Sequence, residues 1–296
     1  MLPNNHTRWS RLDLLLLLII AAAVFYLGYR IETGLEYRWN WQVIPQYLFR
    51  FDDEGGRWVP NLLIQGLMTT IRLSFWSLVL ALPVGLVAGL LRISLHLFNR
   101  MLGGWYVNLF RNMPPLVLIL ICYYFISDQI LPQLGLTDLL HAAPQSVQQM
   151  TGLLLAPVDQ LEVFLAAVAT LALYEGAYIA EIVRAGINSI ESGQWQAAQA
   201  LGMRRWQVLL HIVMPQAYRR MIPPLAGQFI STIKDSAIVS VISLQELTFQ
   251  GMELMAATYL TFEVWISVAV LYFLLTYACS WLAGVMERRM QRAYLF

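Results

Sequence analysis

The sequence predicts an all-α integral membrane protein, a polytopic bundle of about six transmembrane helices. Three observations carry that expectation. Hydrophobic residues make up 58% of the 296, only 12% are charged, and the mean hydropathy is +0.58. A chain of this composition cannot present an ordinary solvated surface, so lipid must be the solvent for most of it. Apolar runs of about 20 residues, the length that spans a bilayer as a helix, recur near 12–29, 65–91, 104–126, 162–183, 221–245 and 263–286. Arginines, finally, gather in alternate connections between those runs.

The first run follows Asp13 without a small-residue cleavage site, so it reads as a retained span and not as a removed signal peptide. Residues 1–60 form one region, that span with an outer loop; residues 61–296 form the main membrane domain. Arg8 and Arg11 precede span one, and Arg92 and Arg100 lie between spans two and three. Arg184, Arg204, Arg205, Arg219 and Arg220 lie between spans four and five, and Arg288, Arg289 and Arg292 follow the last. Residues 127–162 and 246–263, by contrast, carry acids and no Lys or Arg. The positive-inside rule then places both termini of a multi-pass membrane protein in the cytoplasm. In the first outer loop Trp41, Ile44, Tyr47, Leu48 and Phe51 fall near helical spacing, with Pro45 in a first turn, which fits a short surface helix or an aromatic belt. The loop at 127–162 is long for a plain connector and reads as a docking surface or a cap.

Between spans four and five the chain stays polar and rich in Ala. Trp206, Leu209, Leu210 and Val213 repeat at i, i+3, i+4 and i+7, the apolar stripe of an amphipathic helix. Before it, residues 194–201 form a short helix that ends at Gly202, the residue that most readily takes a left-handed cap. Its small residues Ala197, Ala198 and Ala200 suit entry into a groove of another protein.

Gln196-Ala197-Ala198, three further residues to Gly202, nine more to Ile212 and then Met214-Pro215 resemble the cytoplasmic loop of bacterial ABC importer permeases, E-A-A-x3-G-x9-I-x-L-P. Arg111-Asn112-Met113-Pro114, Ala177-Tyr178-Ile179-Ala180-Glu181, Pro215-Gln216-Ala217 and Lys234-Asp235-Ser236 resemble elements of the branch that takes up polar amino acids. The likeness covers about residues 62–286. Gln196 stands where the family has Glu and Met214 where it has Leu, so a salt bridge from that Glu does not carry over. The resemblance implies the type I ABC importer permease fold and alternating access. It makes Gln196, Ala197, Ala198, Gly202, Met203, Arg204 and Arg205 the residues that couple to an ATPase dimer, which binds ATP and Mg itself. It also implies a second permease subunit and a periplasmic or extracellular amino acid binding protein. The extra first span and long outer loops point to a heterodimer over a homodimer.

The residues agree with a need for that ATPase. A phosphate-binding loop ends in Gly-Lys-Ser/Thr, and the sole lysine, Lys234, follows Ile233 inside a span. No catalytic constellation, metal-ligand cluster, cofactor site or nucleic-acid surface is expected: the histidines, His6, His96, His141 and His211, are scattered, and Cys122 and Cys279 sit in apolar runs. The alternative function is a secondary transporter or channel independent of ATP, although such proteins are commonly built from internal repeats and none is visible.

Charges inside the spans complete the candidates. A charge at mid-bilayer costs about 2.5 to 3.5 kcal/mol on insertion scales, so Arg111, Glu175, Lys234 and Asp235 must face protein or a wet cavity. Glu175, with Tyr178 nearby and Gly176 leaving space beside it, either lines a substrate pathway or pairs with Lys234 to pack spans four and five. Arg111 and Arg72 lie near span ends, where a long side chain can reach the interface.

Overall fold

The computed structural model describes residues 11–34, 37 and 39–292. They divide into two compact units, one ending at Trp41 and the other beginning at Gln42. The first contains α1 (Arg11–Gly34), whose residues Leu12–Arg30 are long and apolar enough to cross a membrane.

The second unit begins with a short helix, α2 (Ile44–Leu48), with Pro45 in its first turn where a missing N–H costs nothing. It does not continue through Phe51 as the spacing suggested. Phe51 lies instead in a two-stranded antiparallel hairpin, β1 (Phe49–Asp52) and β2 (Arg57–Pro60), where it faces Trp58. Aromatic and β-branched residues favour the pleated strand, and the acidic Gly-Gly turn at 52–56 lets the chain reverse. Ile44 is buried with Leu63, Leu247, Leu254 and Val264. The segment therefore packs on the bundle through Ile44 instead of lying apart on a membrane surface.

Next come α3 (Leu62–Arg92), α4 (Leu97–Asn112) and α5 (Pro115–Phe125). The single span expected at 104–126 is broken: α4 and α5 meet at 112°. The cause is Pro114-Pro115. Neither donates a backbone hydrogen bond, and each disfavours helical geometry in the residue before it; Met113 is accordingly extended, at φ −91° and ψ 144°.

The long outer loop is itself helical. A π-helical turn at 126–130 leads to α6 (Leu131–Leu134), α7 (Leu136–His141) and α8 (Gln145–Leu154). Arg72 does not merely reach the interface: its guanidinium donates to the Gly152 carbonyl at 2.5 Å, and the Trp76 indole donates to the Leu154 carbonyl at 2.9 Å. These two side chains of α3 hold α8 down.

α9 (Leu161–Asn188) is the most enclosed span. It is followed by α10 (Ser192–Ala200), the single turn α11 (Arg205–Gln207), a π-helical stretch over 208–213 and α12 (Met214–Asp235), which tightens into a 3-10 helix through Ile242. α13 (Leu247–Thr258) and α14 (Thr261–Arg292) complete the bundle. Among the described residues, five helices are long and apolar enough to cross a membrane, or six when α4 and α5 count as one broken span.

α3 and α9 lie close because glycines face each other across their contact. A Cβ at Gly85 would meet Ile179 at 2.5 Å and the Gly176 carbonyl at 2.8 Å; one at Gly89 would meet Val183 at 2.7 Å and the Ala180 carbonyl at 2.8 Å. Small residues that let backbones approach are how helices gain packing energy where lipid removes the hydrophobic drive.

A second buried junction lies beyond the spans, at Glu246. Its side chain, wholly enclosed, caps α13 by accepting from the Phe249 N–H at 2.8 Å, and it also accepts from the hydroxyls of Tyr272 at 2.7 Å and Thr70 at 3.3 Å. One carboxylate thus ties α3, α13 and α14 together.

Two expectations follow. Gly85→Val should overpack the α3–α9 contact by about 1 to 3 kcal/mol, read as a lower melting temperature of the purified chain in detergent; an unchanged value would show that the helices separate freely. Burial pushes the Glu246 carboxyl above its ordinary value of 4.5. A raised carboxylate contributes its full stability below that ordinary value and loses it as pH rises through the folded value. Wild type should therefore lose stability relative to Glu246→Gln, which does not titrate, as pH climbs above 4.5. A pH-independent difference between the two melting temperatures would contradict this.

Candidate functional site

Two regions hold the site residues expected from the sequence, and the C-terminal end of α9 borders both. The first is the segment from α10 to the π-helical stretch. Of α10 only Ala198 is buried, packed with Ile187, Ile190, Val208 and Val213. Gln196 and Ala197 are exposed. The helix ends where the glycine predicts: Gly202 has φ +78°, its N–H donates to the Gln199 carbonyl at 2.9 Å, and the Met203 N–H donates to the Ala198 carbonyl at 3.2 Å. That pair of bonds is the Schellman arrangement, which closes carbonyls left open at a helix end. Met203 then packs against the same cluster as Ala198. The next turn starts with the Arg204 N–H donating to Gln207 Oε1 at 2.8 Å. Arg204 and Arg205 are exposed, and the Arg205 guanidinium lies 5.8 Å from the centre of the Trp195 ring.

The apolar stripe expected at 206, 209, 210 and 213 is displaced. Trp206 and Leu210 are 58% and 57% exposed, while Val208 and Val213 are fully buried. Residues 208–213 wind as a π-helix, whose wider turn moves the buried face away from 3.6-residue spacing.

The second region lies between α9 and α12, where a cavity of about 440 Å³ is lined by residues that include Arg111, Tyr178, Glu181, Arg220 and Gln228. The Arg111 guanidinium sits 5.2 Å from the centre of the Tyr178 ring, and the Tyr178 and Tyr174 hydroxyls are 3.1 Å apart. Glu175 is fully buried behind this wall. Its Oε2 accepts from Gln228 Nε2 at 2.5 Å, and Thr232 and Asp235 stand beside it. Gln228, Thr232 and Asp235 share one face of α12 at i, i+4 and i+7. Below them Glu181 accepts from Arg92 and from Arg184 Nε, the latter at 3.0 Å.

Two expectations about Glu175 need correction. Lys234 forms no ion pair with it; Lys234 is exposed, because adjacent residues on a helix point about 100° apart and Asp235 takes the inward position. Nor does Gly176 leave space for a ligand: a Cβ there would meet the Tyr106 hydroxyl at 2.7 Å and Val84 at 3.0 Å. That space is already filled by α3 and α4. Arg111 and Tyr178 thus line the cavity, Glu175 is buried behind it with Asp235 beside it, and Lys234 stays outside.

Gln228, Arg220 and Arg92 are not among the sequence candidates. Gln228 had a visible signal, since a polar residue at i, i+4 and i+7 with Thr232 and Asp235 makes a polar stripe inside a span. Arg92 had none, because its partner Glu181 lies 89 positions away.

Comparison with known proteins agrees with this architecture. The family model described as the binding-protein-dependent transport system inner membrane component matches residues 81–292. The glutamine transport system permease protein GlnP of Escherichia coli (strain K12) is 34% identical over 238 residues, covering 78% of this chain and 93% of that protein. The probable glutamine ABC transporter permease protein GlnM of Bacillus subtilis (strain 168) is 32% identical over 234 residues, covering 79% and 95%. Among solved structures, an amino acid ABC transporter crystallised with histidines superposes with a TM-score of 0.61 at 32% identity, over 77% of this chain and 94% of that one. The inward-facing MetNI methionine ABC transporter superposes with a TM-score of 0.59 at 18% identity, a likeness of fold alone. With the matched region running from the middle of α3 to the end of α14 and taking in both the Gly202 turn and the α9–α12 cavity, the chain belongs to the inner membrane components of binding-protein-dependent transport systems, the permeases of ABC importers.

Proposed function

We propose that this permease forms the pathway for a polar amino acid and is driven by a separate ATPase dimer that docks on α10. The observation that carries the coupling half is the turn at Gly202. It fixes a short helix whose Gln196 and Ala197 are open to a partner while Ala198 and Met203 are anchored in the bundle. ATP and Mg would be bound by the ATPase, with no cofactor held by this chain. A binding protein delivers substrate at the outer face, a second and related permease completes the pathway as a heterodimer, and both termini lie in the cytoplasm. These partners rest on the family and on the distribution of arginines.

The substrate class is supported by the named relatives and by the cavity chemistry. An α-amino acid is a zwitterion: Arg111 and Arg220 line the cavity and offer cations for its carboxylate, whereas Glu175 and Asp235, behind the wall, would offer negative charge for its ammonium only when α9 and α12 part. Alternating access then requires α9 and α12, the cavity walls, to move when α10 moves.

Two variants test the halves separately in vesicles reconstituted with the ATPase and binding protein. Gly202→Asp puts a side chain on a left-handed backbone at a cost of about 1 kcal/mol or more and turns α10 out of register. The protein should reach the membrane but support only background uptake; wild-type ATP-driven uptake would sink the coupling assignment. Glu175→Gln keeps shape and removes charge. The KM for uptake should rise about tenfold, the loss of roughly one charge-assisted hydrogen bond, with basal ATPase activity and melting temperature kept. An unchanged KM and unchanged amino acid preference would remove Glu175 from the pathway.

A further inference from the structure

Where α3 turns into α4, against the end of α9 and the start of α11, lies a larger cavity of about 670 Å³. Four guanidinium groups line it, from Arg92, Arg100, Arg184 and Arg205, with His96 among them, and among the described residues no carboxylate is part of the lining. Glu181, just outside, offsets only part of this charge: it accepts from both Arg92 and Arg184. Arg205 is held over Trp195 and donates to the Ile93 carbonyl at 3.4 Å. Arg100 is exposed and forms no ion pair among the described residues. Cations fixed in one concave site with a single shared counter-charge attract an anion.

The surroundings say which kind. On α4, Leu97, Phe98, Met101 and Trp105 are 63%, 74%, 64% and 65% exposed, an apolar stripe at i, i+1, i+4 and i+8 that flanks Arg100. Between α3 and α4 a second cavity of about 530 Å³ is lined from Pro83 to Leu91 and from Leu102 to Tyr106 by apolar and aromatic residues. Those walls stop one residue short of Arg92 and two short of Arg100. The same helix pair thus presents hydrocarbon along its length and guanidinium groups at its end. A soluble anion would use only the second of these; a lipid with a charged headgroup uses both.

We propose that the Arg92–Arg100–Arg184–Arg205 cavity holds the phosphate headgroup of an anionic phospholipid, whose acyl chains lie along the exposed apolar stripe of α4. Basic pockets between helices at a membrane boundary recognise headgroups in this way, with each arginine near the surface contributing about 1 kcal/mol, or roughly fivefold. The site sits between the α3–α4 turn and the segment that carries α10, so an occupied headgroup would brace one against the other. This goes beyond transport itself and does not depend on which substrate is carried.

The test is native mass spectrometry of the full chain in detergent with equal amounts of phosphatidylglycerol and phosphatidylcholine. Wild type should retain phosphatidylglycerol preferentially, and Arg100→Gln should reduce that preference about fivefold, whereas Arg57→Gln on the β-hairpin should leave it unchanged. Raised ionic strength should weaken retention in wild type, which checks the electrostatics without any variant. Equal retention of the two lipids by wild type would overturn the proposal, as would unaltered preference in Arg100→Gln. Displacement of phosphatidylglycerol by millimolar inorganic phosphate would identify a soluble-anion site instead, and would equally overturn it.

Discussion

The close approach of α3 and α9 is the constraint on which the remainder of the main unit rests. In lipid, two helices gain little by hiding apolar side chains, because the solvent is equally apolar. What holds them is the van der Waals contact that Gly85, Gly89 and Gly176 permit by having no side chain at the crossing. Once α9 is clasped in this way it becomes the bundle's interior, where it can hold a fully buried carboxylate. Glu175 would be prohibitive on a lipid-facing helix; on α9 it finds Gln228 and the polar face of α12. The packing of small residues and the placement of charge are one arrangement seen twice.

Prolines and glycines mark where this bundle departs from simple spans. Pro114-Pro115 breaks the third span and turns the chain through 112°, which places Arg111 at an exposed helix end near Tyr178 instead of within a continuous helix. Pro223 and Pro224, inside α12, lie one turn before Gln228. Backbone groups freed by a proline are tolerated at membrane depth only where protein or a wet cavity can answer them, and Pro224 does line the α9–α12 cavity. The irregular positions therefore coincide with the polar ones.

Much of this was legible in the sequence, and the limits have physical causes. The number of spans followed from apolar length, although Pro114-Pro115 breaks the third, and the left-handed turn at Gly202 followed from the residue type and its place after a short helix. What depended on side-chain direction was harder to read. The buried stripe on the segment after Arg205 departs from 3.6-residue spacing because of a π-helical turn that nothing in the residue pattern announces. Lys234 and Asp235 could not be sorted into inward and outward by hydropathy, since both are charged; only the rotation of α12 against α9 decides it. Gly176 looked like an opening for a ligand, yet it is a contact, because Tyr106 arrives from a helix 70 residues earlier in the chain. A glycine in a span signals close approach, but the sequence does not say of what.

The two polar regions are joined by packing and not by a chain of charges. Ala198 on α10 shares a buried cluster with Ile187 on α9, with Val208 and Val213 of the π-helical stretch, and with Ala217 and Met221 on α12. Such a cluster is close-packed and transmits displacement with little compression, so a push on α10 must reach α9 and α12 together. Gly186 tightens this link, for a Cβ there would run into the Met221 side chain. Gly186 also lines the α9–α12 cavity, and Glu181, one and a half turns earlier, faces the same cavity while gripping Arg92 and Arg184. A movement that reaches α9 at Ile187 therefore alters the cavity wall within two turns of helix. The distance between the α10 segment and the polar wall is short because both adjoin the same end of one buried helix.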